Sequence, residues 1–444
     1  MTKQFFGTDG VRGKVGSEPM TADFAMRLAS AAAQVLVPAG GTVVIGKDTR
    51  LSGYMFESAL EAGFVAAGAD VLLIGPLPTP GIARLTQEFD ADLGVVISAS
   101  HNVYSDNGIK FFDRSGSKLT DATERKIEEH LKNPAITLES QALGKAKRID
   151  TARIRYQEFC AASLPEGLGL EGLKIVFDGA NGAGYKVGPR TLGTLGADVI
   201  PIGCSPNGKN INAGCGSTEP GLLQLTVPTL KANVGVALDG DGDRLVMVDE
   251  NGQLIDGDQL LYVLAMARHR KGQLKGPVVG TVMSNLGLEK AFQAENIEFL
   301  RAHVGDRYVL EMLKQTGGII GGETSGHMII LDKATTGDGL VCALQVLAVM
   351  KETGMPLSEL VRGMPKYPQT MLNVRVKNRM DPGSSSEIQA AVSSAEDEMA
   401  DTGRVVLRAS GTEPVIRVMV EGEDHDQVLS IAKRLAAVVE QAAA

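Results

Sequence analysis

The chain reads as α/β, with three similar mixed-sheet α/β domains followed by a smaller C-terminal α+β domain. Two features predict this. Apolar runs of strand length alternate with longer helix-like segments, and the alternation restarts twice before its order changes near the C-terminus. At 444 residues the chain also exceeds what one hydrophobic core ordinarily supports, so several domains are expected.

Between residues 22 and 98, helix-like AMRLASAAAQVL, strand-like TVVIG, helix-like MFESALEAGFVAAG, strand VLLIG, a short helix after Pro80 and strand LGVVIS follow one another. This is the βαβα order of a sheet covered by helices. A charged stretch from Asp121 to about Ala152 reads as a helix leaving that unit. The order restarts with LKIVFD, a glycine-rich turn, a helix from Tyr185, ADVIPIG and VGVALD. A third unit begins near Gly257, with a helix from Gln259, PVVGTV, a helix after Asn285, IEFLRA, a helix after Asp306 and GGIIGGE. The last segment reads MLNVRV, a helix over Ser385 to Met399, RVVLR, VIRVMVEG and a helix from Asp424. The expected domains are 1–152, 153–254, 255–364 and 365–444.

A formal charge of −9 without a basic cluster disfavours nucleic acid and anionic lipid as partners, so attraction to an anionic substrate has to be local. Cys160, Cys204, Cys215 and Cys342 are widely spread with no C-x-x-C pair, which points to buried free thiols rather than a disulfide frame or a zinc site. The opening MTKQFFGTDGVRG lacks the apolar core of a signal peptide. No run approaches the roughly 18 apolar residues of a membrane span, and the expectation is a cytoplasmic protein.

The most specific motif is DGDGDR, Asp239 to Arg244, directly after the apolar VGVAL. Three carboxylates this close would repel by about 4 kcal/mol per pair at 4 Å and effective dielectric 20 unless a cation sits among them. Carboxylate oxygens suit magnesium, calcium or manganese, and the glycines allow the turn that converges them. Asp239, Asp241, Asp243 and Glu250 also fall at EF-hand positions 1, 3, 5 and 12. However, position 6 is Arg244 instead of glycine, and the flanks read as strands instead of helices.

A second motif, ISASHN, leaves strand LGVVIS at the carboxyl end, where ligands gather in open α/β sheets; DNGIK follows at Asp106 to Lys110. Ser100 stands there with His101. Adjacent residues rarely aim at each other and no G-x-S-x-G elbow occurs, so a hydrolase pair is not indicated. Alone, such a serine is more often a cap or turn residue. It gains meaning beside GTDGVRG, GKDTRLSG, HVGDR, GGETSGH and RASGTEP with Arg417. In the last of these, Ser410, Thr412 and two arginines on a glycine-opened backbone can donate to a phosphate dianion. GLGLEG (Gly167 to Gly172) matches a dinucleotide pattern but precedes its strand, and no Walker A motif is present.

In order along the chain, FGTDGVRG, IGKDTRLSG, GPLPTPG, SASHN with DNGIKFF, IGCSPNGKNINAGCGSTEP, DGDGDR, SNLGLE, VGDRYVLE, GGETSGH, TTGDG and LRASGTEPVIRVMVEG resemble the α-D-phosphohexomutase superfamily essentially end to end. The resemblance implies four domains around a central cleft, contributing a phosphoserine loop, a metal loop, a sugar loop and a phosphate loop. It implies that Ser100 carries the phosphoryl group and that Asp239, Asp241 and Asp243, with an oxygen of that phosphoserine, hold one Mg2+ per chain. Glu323 and Ser325 would contact sugar hydroxyls. Arg408, Ser410, Gly411, Thr412 and Arg417 would hold the phosphate that is not being transferred. Arg12, His101, Lys110, Arg244 and His327 would stabilise charge or move protons. The superfamily usually has proline after SASHN; Val103 here frees a φ angle and restores an N–H, so a slightly looser loop is expected.

FGTDGVRG, VGDRYVLE, TTGDG and the C-terminal string look most like the amino-sugar members. That implies interconversion of glucosamine 6-phosphate and glucosamine 1-phosphate through a sugar bisphosphate that also serves as activator, upstream of UDP-N-acetylglucosamine and cell-wall precursors. The partner is then a small-molecule sugar phosphate, with no nucleic acid or membrane, and a homodimer is left open. The alternative within the superfamily is a mutase of glucose or mannose phosphate. A sugar-phosphate- or calcium-binding protein without catalysis is the rival of another class, and it has no use for a serine opposite the acidic loop.

Overall fold

The computed structural model describes residues 3–7, 9–37, 40–377, 381–409 and 414–443. Seven strands form the first sheet: β1 (Phe6–Gly7), β2 (Gly10–Lys14), β3 (Thr42–Lys47), β4 (Asp70–Pro76), β5 (Leu93–Ile97), β6 (Asp106–Asp113) and β7 (Ala146–Arg148), in the order β1-β2-β6-β5-β3-β4-β7. β3, β4, β5 and β7 run parallel, and β6 runs antiparallel to both β5 and β2. The second sheet holds β8 (Lys174–Asp178), β9 (Asp198–Ile202), β10 (Val234–Leu238), β11 (Leu245–Val248) and β12 (Leu254–Ile255), in the order β12-β11-β10-β8-β9. The third holds β13 (Val278–Thr281), β14 (Phe299–Ala302), β15 (Ile320–Gly322) and β16 (Met328–Ile330), ordered β14-β13-β15-β16. An antiparallel three-stranded sheet, β17 (Gln369–Arg375), β18 (Gly403–Ala409) and β19 (Val415–Gly422), ordered β17-β19-β18, ends the chain with two long helices.

The same device recurs in the first three sheets. A strand from the parallel part turns back into an antiparallel partner, β5 into β6, β10 into β11 and β15 into β16. The connecting turns are the serine loop, DGDGDR and the loop from Glu323 to His327. Arg408 and Ala409 of RASGTEP end β18, which pairs antiparallel with β19. DNGIK, which follows the serine motif, is the start of β6. The charged stretch after Asp121 is helical only to Leu131. Beyond it Pro134 and the absence of an apolar period end the helix, and the chain adds β7 to the sheet edge.

Alternation along the strands explains why three sheets behave as one body. Val44, Ile74, Val96 and Phe112 of the first sheet, Ile175, Phe177, Val236 and Leu238 of the second, and Val278, Ile320 and Met328 of the third all join one hydrophobic cluster. Their neighbours point the other way into separate smaller cores, Val43, Ile45 and Val95 in one, Val176 and Ala237 in another, Val279 and Ile329 in a third. Both faces of the parallel strands are therefore buried, which is why they read as unbroken apolar runs. The helix Gly339–Thr353, apolar nearly all round, runs through the shared core. Its N-cap Asp338 accepts from Val341 N at 3.0 Å and from the buried Tyr156 hydroxyl at 2.8 Å, tying it to the helix Ala152–Ala161. The fourth sheet packs on its own core. No described helix is long and apolar enough to cross a membrane, and the four cysteines are free thiols, with Cys204 half-buried and the other three buried.

Candidate active site

Ser100 occupies the left-handed region, φ +51°, a conformation that non-glycine residues hold only under surrounding constraint. The constraint is visible. Its N–H donates to Ser98 Oγ at 3.0 Å, and Ser98 Oγ donates to Asp48 Oδ2 at 2.6 Å. Arg50, fully buried, has its Nε on Asp48 at 2.8 Å and spreads its fork over the carbonyls of Ser100 (3.0 Å), Asn102 (2.8 Å), Asp106 (3.1 Å) and Val103. The Val103 carbonyl is thus held even though the residue is not proline. From the second sheet's side, Asn212 Nδ2 donates to the carbonyls of Ser100 at 2.9 Å and Asn102 at 3.1 Å. Arg50 and Asn212 went unassigned in the sequence, because neither lies in a loop that names its own partner.

Ser100 Oγ donates to Asp239 Oδ2 at 2.6 Å, so the serine loop and DGDGDR meet face to face. Within DGDGDR, Gly242 takes φ +73°, and a Cβ on Gly240 would strike the Ser100 carbonyl. Oxygens of Asp239, Asp241 and Asp243 lie within 4.8 Å of one another, the only such group found among the described residues. Asp241 Oδ1 and Asp243 Oδ1 are buried without any hydrogen-bond partner. Burial and the charge of Asp241 push Asp239 well above, and Asp243 above, the usual carboxylate range. Orphaned hard oxygens converging at a buried turn fit a divalent cation. The EF-hand reading fails on geometry: β10 and β11 flank the loop, and Glu250 turns away to Ser358 and Asn251.

Lys110, on β6, sends its Nζ to Asp241 Oδ2 and Asp9 Oδ2, both at 2.8 Å. Burial disfavours its charge, but Asp241 and Asp9 outweigh this and hold it above the ordinary lysine value. Asp9 also pairs with Arg12 and, at 2.6 Å, with Lys118, which reaches on to Asp306 of the third unit. His101 is pulled down to about 4, first by burial and then by Arg244 and Arg12, and its Nδ1 is buried without a partner. His327 stands 3.5 Å from Asp306 and 3.9 Å from Asp243, both ring nitrogens lacking hydrogen bonds.

The loop from Glu323 to His327 is tied to DGDGDR through Leu245 N, which donates to Gly326 O at 3.0 Å. Glu323 Oε1 accepts from Gly305 N at 2.9 Å, and Thr324 Oγ1 donates to the buried Asp258 at 2.8 Å. Arg408 and Arg417 face each other directly across β18 and β19, and among the described residues neither is in an ion pair. Burial and the neighbouring Arg417 lower Arg408 from the usual guanidinium value. Two opposed cations on a sheet repel, an arrangement that a dianion would relieve. Ser410, Gly411 and Thr412 lie outside the described residues.

A cavity of about 540 Å3 gathers Arg12, Ser100, His101, Asp243, Arg244, Glu323, Ser325, His327, Arg408 and Arg417 on one wall or another. Lys110, Asp239 and Asp241 sit buried behind it. Asp9, Asp306, Gln369 and Met371 also line it and were not anticipated. Gln369 and Met371 lie on β17, away from any motif.

Models of the phosphoglucomutase/phosphomannomutase domains match most of the sequence in order: α/β/α domain I over residues 3–136, domain II over 155–252, domain III over 256–367 and the C-terminal domain over 371–438. The chain is 56% identical to a phosphoglucosamine mutase of Aeromonas hydrophila and 55% identical to one of Alcanivorax borkumensis, with 100% of both chains covered in each case. Among solved structures it resembles a putative phosphomannomutase of Thermus thermophilus, at TM-score 0.80 and 25% identity over 98% of each chain. It also shares the fold of Aspergillus fumigatus N-acetylphosphoglucosamine mutase, solved with GlcNAc-6P and magnesium, at TM-score 0.70 and 19% identity over 100% of this chain and 96% of that one. With four domain models in sequence and full-length relatives above half identity, the chain belongs to the phosphoglucomutase/phosphomannomutase family, and within it to the phosphoglucosamine mutases.

Proposed function

We propose that this chain interconverts glucosamine 6-phosphate and glucosamine 1-phosphate, with Ser100 carrying the phosphoryl group and glucosamine 1,6-bisphosphate as intermediate and activator. One observation carries the reading: a serine held in the left-handed conformation against an acidic loop, and two unpaired guanidinium groups, line the same cavity. Asp239, Asp241, Asp243 and an oxygen of phosphorylated Ser100 would hold Mg2+, which when bound supplies positive charge beside the transferring group. A phosphoserine dianion beside three carboxylates would need that counter-charge in addition to Lys110, Arg12 and Arg244.

In the first half-reaction a sugar hydroxyl oxygen bonds to phosphorus as the bond to Ser100 Oγ breaks. The hydroxyl proton passes to a base of the cavity wall, and Oγ is left to be neutralised. His101, Lys110 and His327 are the candidate proton carriers, and Arg12 and Arg244 the fixed cations. The bisphosphate turns round, and its other phosphoryl group returns to Oγ with the proton moving back. Arg408 and Arg417, with Ser410, Gly411 and Thr412, would seat whichever phosphate is idle, while Glu323 and Ser325 hold sugar hydroxyls. Each of the proposed divisions 1–152, 153–254, 255–364 and 365–444 then supplies one loop. Full-length relatives named phosphoglucosamine mutase favour the amino sugar over glucose or mannose phosphate.

Two measurements test this. Intact-mass spectrometry after incubation with glucosamine bisphosphate and Mg2+ should show one added phosphoryl group, absent in Ser100→Ala. Side-by-side kinetics should give the highest kcat/KM with glucosamine phosphate. A neutral hexose phosphate that wins would move the chain to the alternative substrate and leave the phosphoserine chemistry standing.

A further inference from the structure

Thr79 is the first residue of the helix Thr79–Glu88 and lies 162 positions from Asp241, yet it touches that aspartate twice. Its Oγ1 donates to Asp241 Oδ2 at 2.7 Å, and its backbone N–H donates to the Asp241 carbonyl at 2.8 Å. Lys110 Nζ reaches the same Oδ2 at 2.8 Å. A carboxylate oxygen offers two acceptor sites, so hydroxyl and ammonium together fill both. Oδ1, buried and partnerless, is left as the one free donor oxygen of Asp241. The other two aspartates are not closed in this way. Each Asp239 oxygen accepts one bond, from Ser100 Oγ and from Arg244 N, and Asp243 Oδ2 has only the 3.9 Å approaches of Lys110 and His327.

We propose that Thr79 is a positioning residue that sets the cation preference of the acidic loop: by occupying Oδ2 alongside Lys110, its hydroxyl confines Asp241 to one-oxygen ligation. Calcium takes six to eight oxygens and often uses both oxygens of a carboxylate, whereas magnesium takes six at shorter distance. A loop whose central aspartate cannot present two oxygens therefore favours the smaller ion. The inference rests on the metal reading of DGDGDR. It concerns a residue that no metal-binding motif in the sequence includes.

The test is calorimetric titration of the full chain, without substrate, with MgCl2 and separately with CaCl2, for wild type, Thr79→Val, Thr79→Ala and Thr79→Ser. All three substitutions keep the backbone N–H that holds the Asp241 carbonyl. Valine and alanine should shift the ratio of the two dissociation constants towards calcium by about tenfold, the low end of what loss of an outer-sphere partner does to metal affinity. Serine should restore the wild-type ratio. An unchanged ratio in the valine and alanine variants overturns the proposal, as does a serine variant that shifts as far as valine. So does a shift seen only where near-UV circular dichroism shows an altered fold. Wild-type protein that binds neither cation would instead overturn the metal reading itself.

Discussion

A Cβ added to Gly240 would lie 2.6 Å from the carbonyl oxygen of Ser100 and 2.7 Å from Asn212 Nδ2. The metal loop is seated on the serine loop at a distance only glycine permits. Gly240→Ala has to part the two loops or break the Asn212 clamp. We expect a loss of about 1–3 kcal/mol in chemical denaturation from the overpacking. The fall in kcat should be about 100-fold, because the reacting serine moves relative to the acidic loop. Unchanged kcat would show that the loops do not meet at Gly240.

Asp243→Asn is the cleanest test of the proposed metal-ligand set. Its Oδ1 has no partner, and burial and Asp241 already disfavour its charge. The variant should lose metal-supported turnover yet melt in chelator at or above the wild-type temperature. Asp241→Asn should differ, since Asp241 is the partner that offsets buried Lys110, and it should melt lower. Equal melting of the two in EDTA would contradict this division of labour.

Arg417 opposes Arg408 across two strands, a charge repulsion that a bound anion would relieve. Arg417→Ala should therefore leave melting of the free protein unchanged or slightly higher, while raising KM and lowering kcat in both directions, since in the proposed cycle either phosphate uses the same seat. Kinetics indistinguishable from wild type would move that seat elsewhere in the cavity.

Asp258 gives a pH test. It is buried beneath the sugar loop, where Asn285 N and Thr324 Oγ1 donate to its Oδ2, and its Oδ1 lacks a partner. Burial, then the charge of Asp256, push it from 3.8 up to about 6. Between these values the native state keeps a proton that the unfolded chain has lost. This group's contribution is therefore most favourable below about pH 4, falls as pH rises towards 6, and stays lost above that, by about 3 kcal/mol in all. Asp258→Asn should be more stable than wild type at pH 8, with the gap closing at pH 4.5, as read by urea denaturation at both values. A gap that widens at low pH reverses the sign and refutes the assignment.

Some of this was legible because it is local. DGDGDR packs three carboxylates into five residues between two apolar strands, so its ligand chemistry needs no partner to be read. The apolar runs of β3, β5, β8 and β10 announced strands because both of their faces are buried. β6 was harder, since its polar start resembles a loop tail and its antiparallel pairing depends on strands elsewhere in the chain. The helix expected beyond Leu131 lacked an apolar period to sustain it.

The kind of chemistry is written locally: hard oxygen ligands, a serine at a strand end and arginines flanking a glycine, each legible from neighbours a few residues away. The tertiary structure alone decided how those groups are held. Thr79 meets Asp241 across 162 residues, Asn212 meets Ser100 across 112, and Lys118 meets Asp306 across 188. No local pattern encodes such pairs, because a threonine, an asparagine or a lysine becomes specific only when burial removes water as its alternative partner and leaves one donor facing one acceptor.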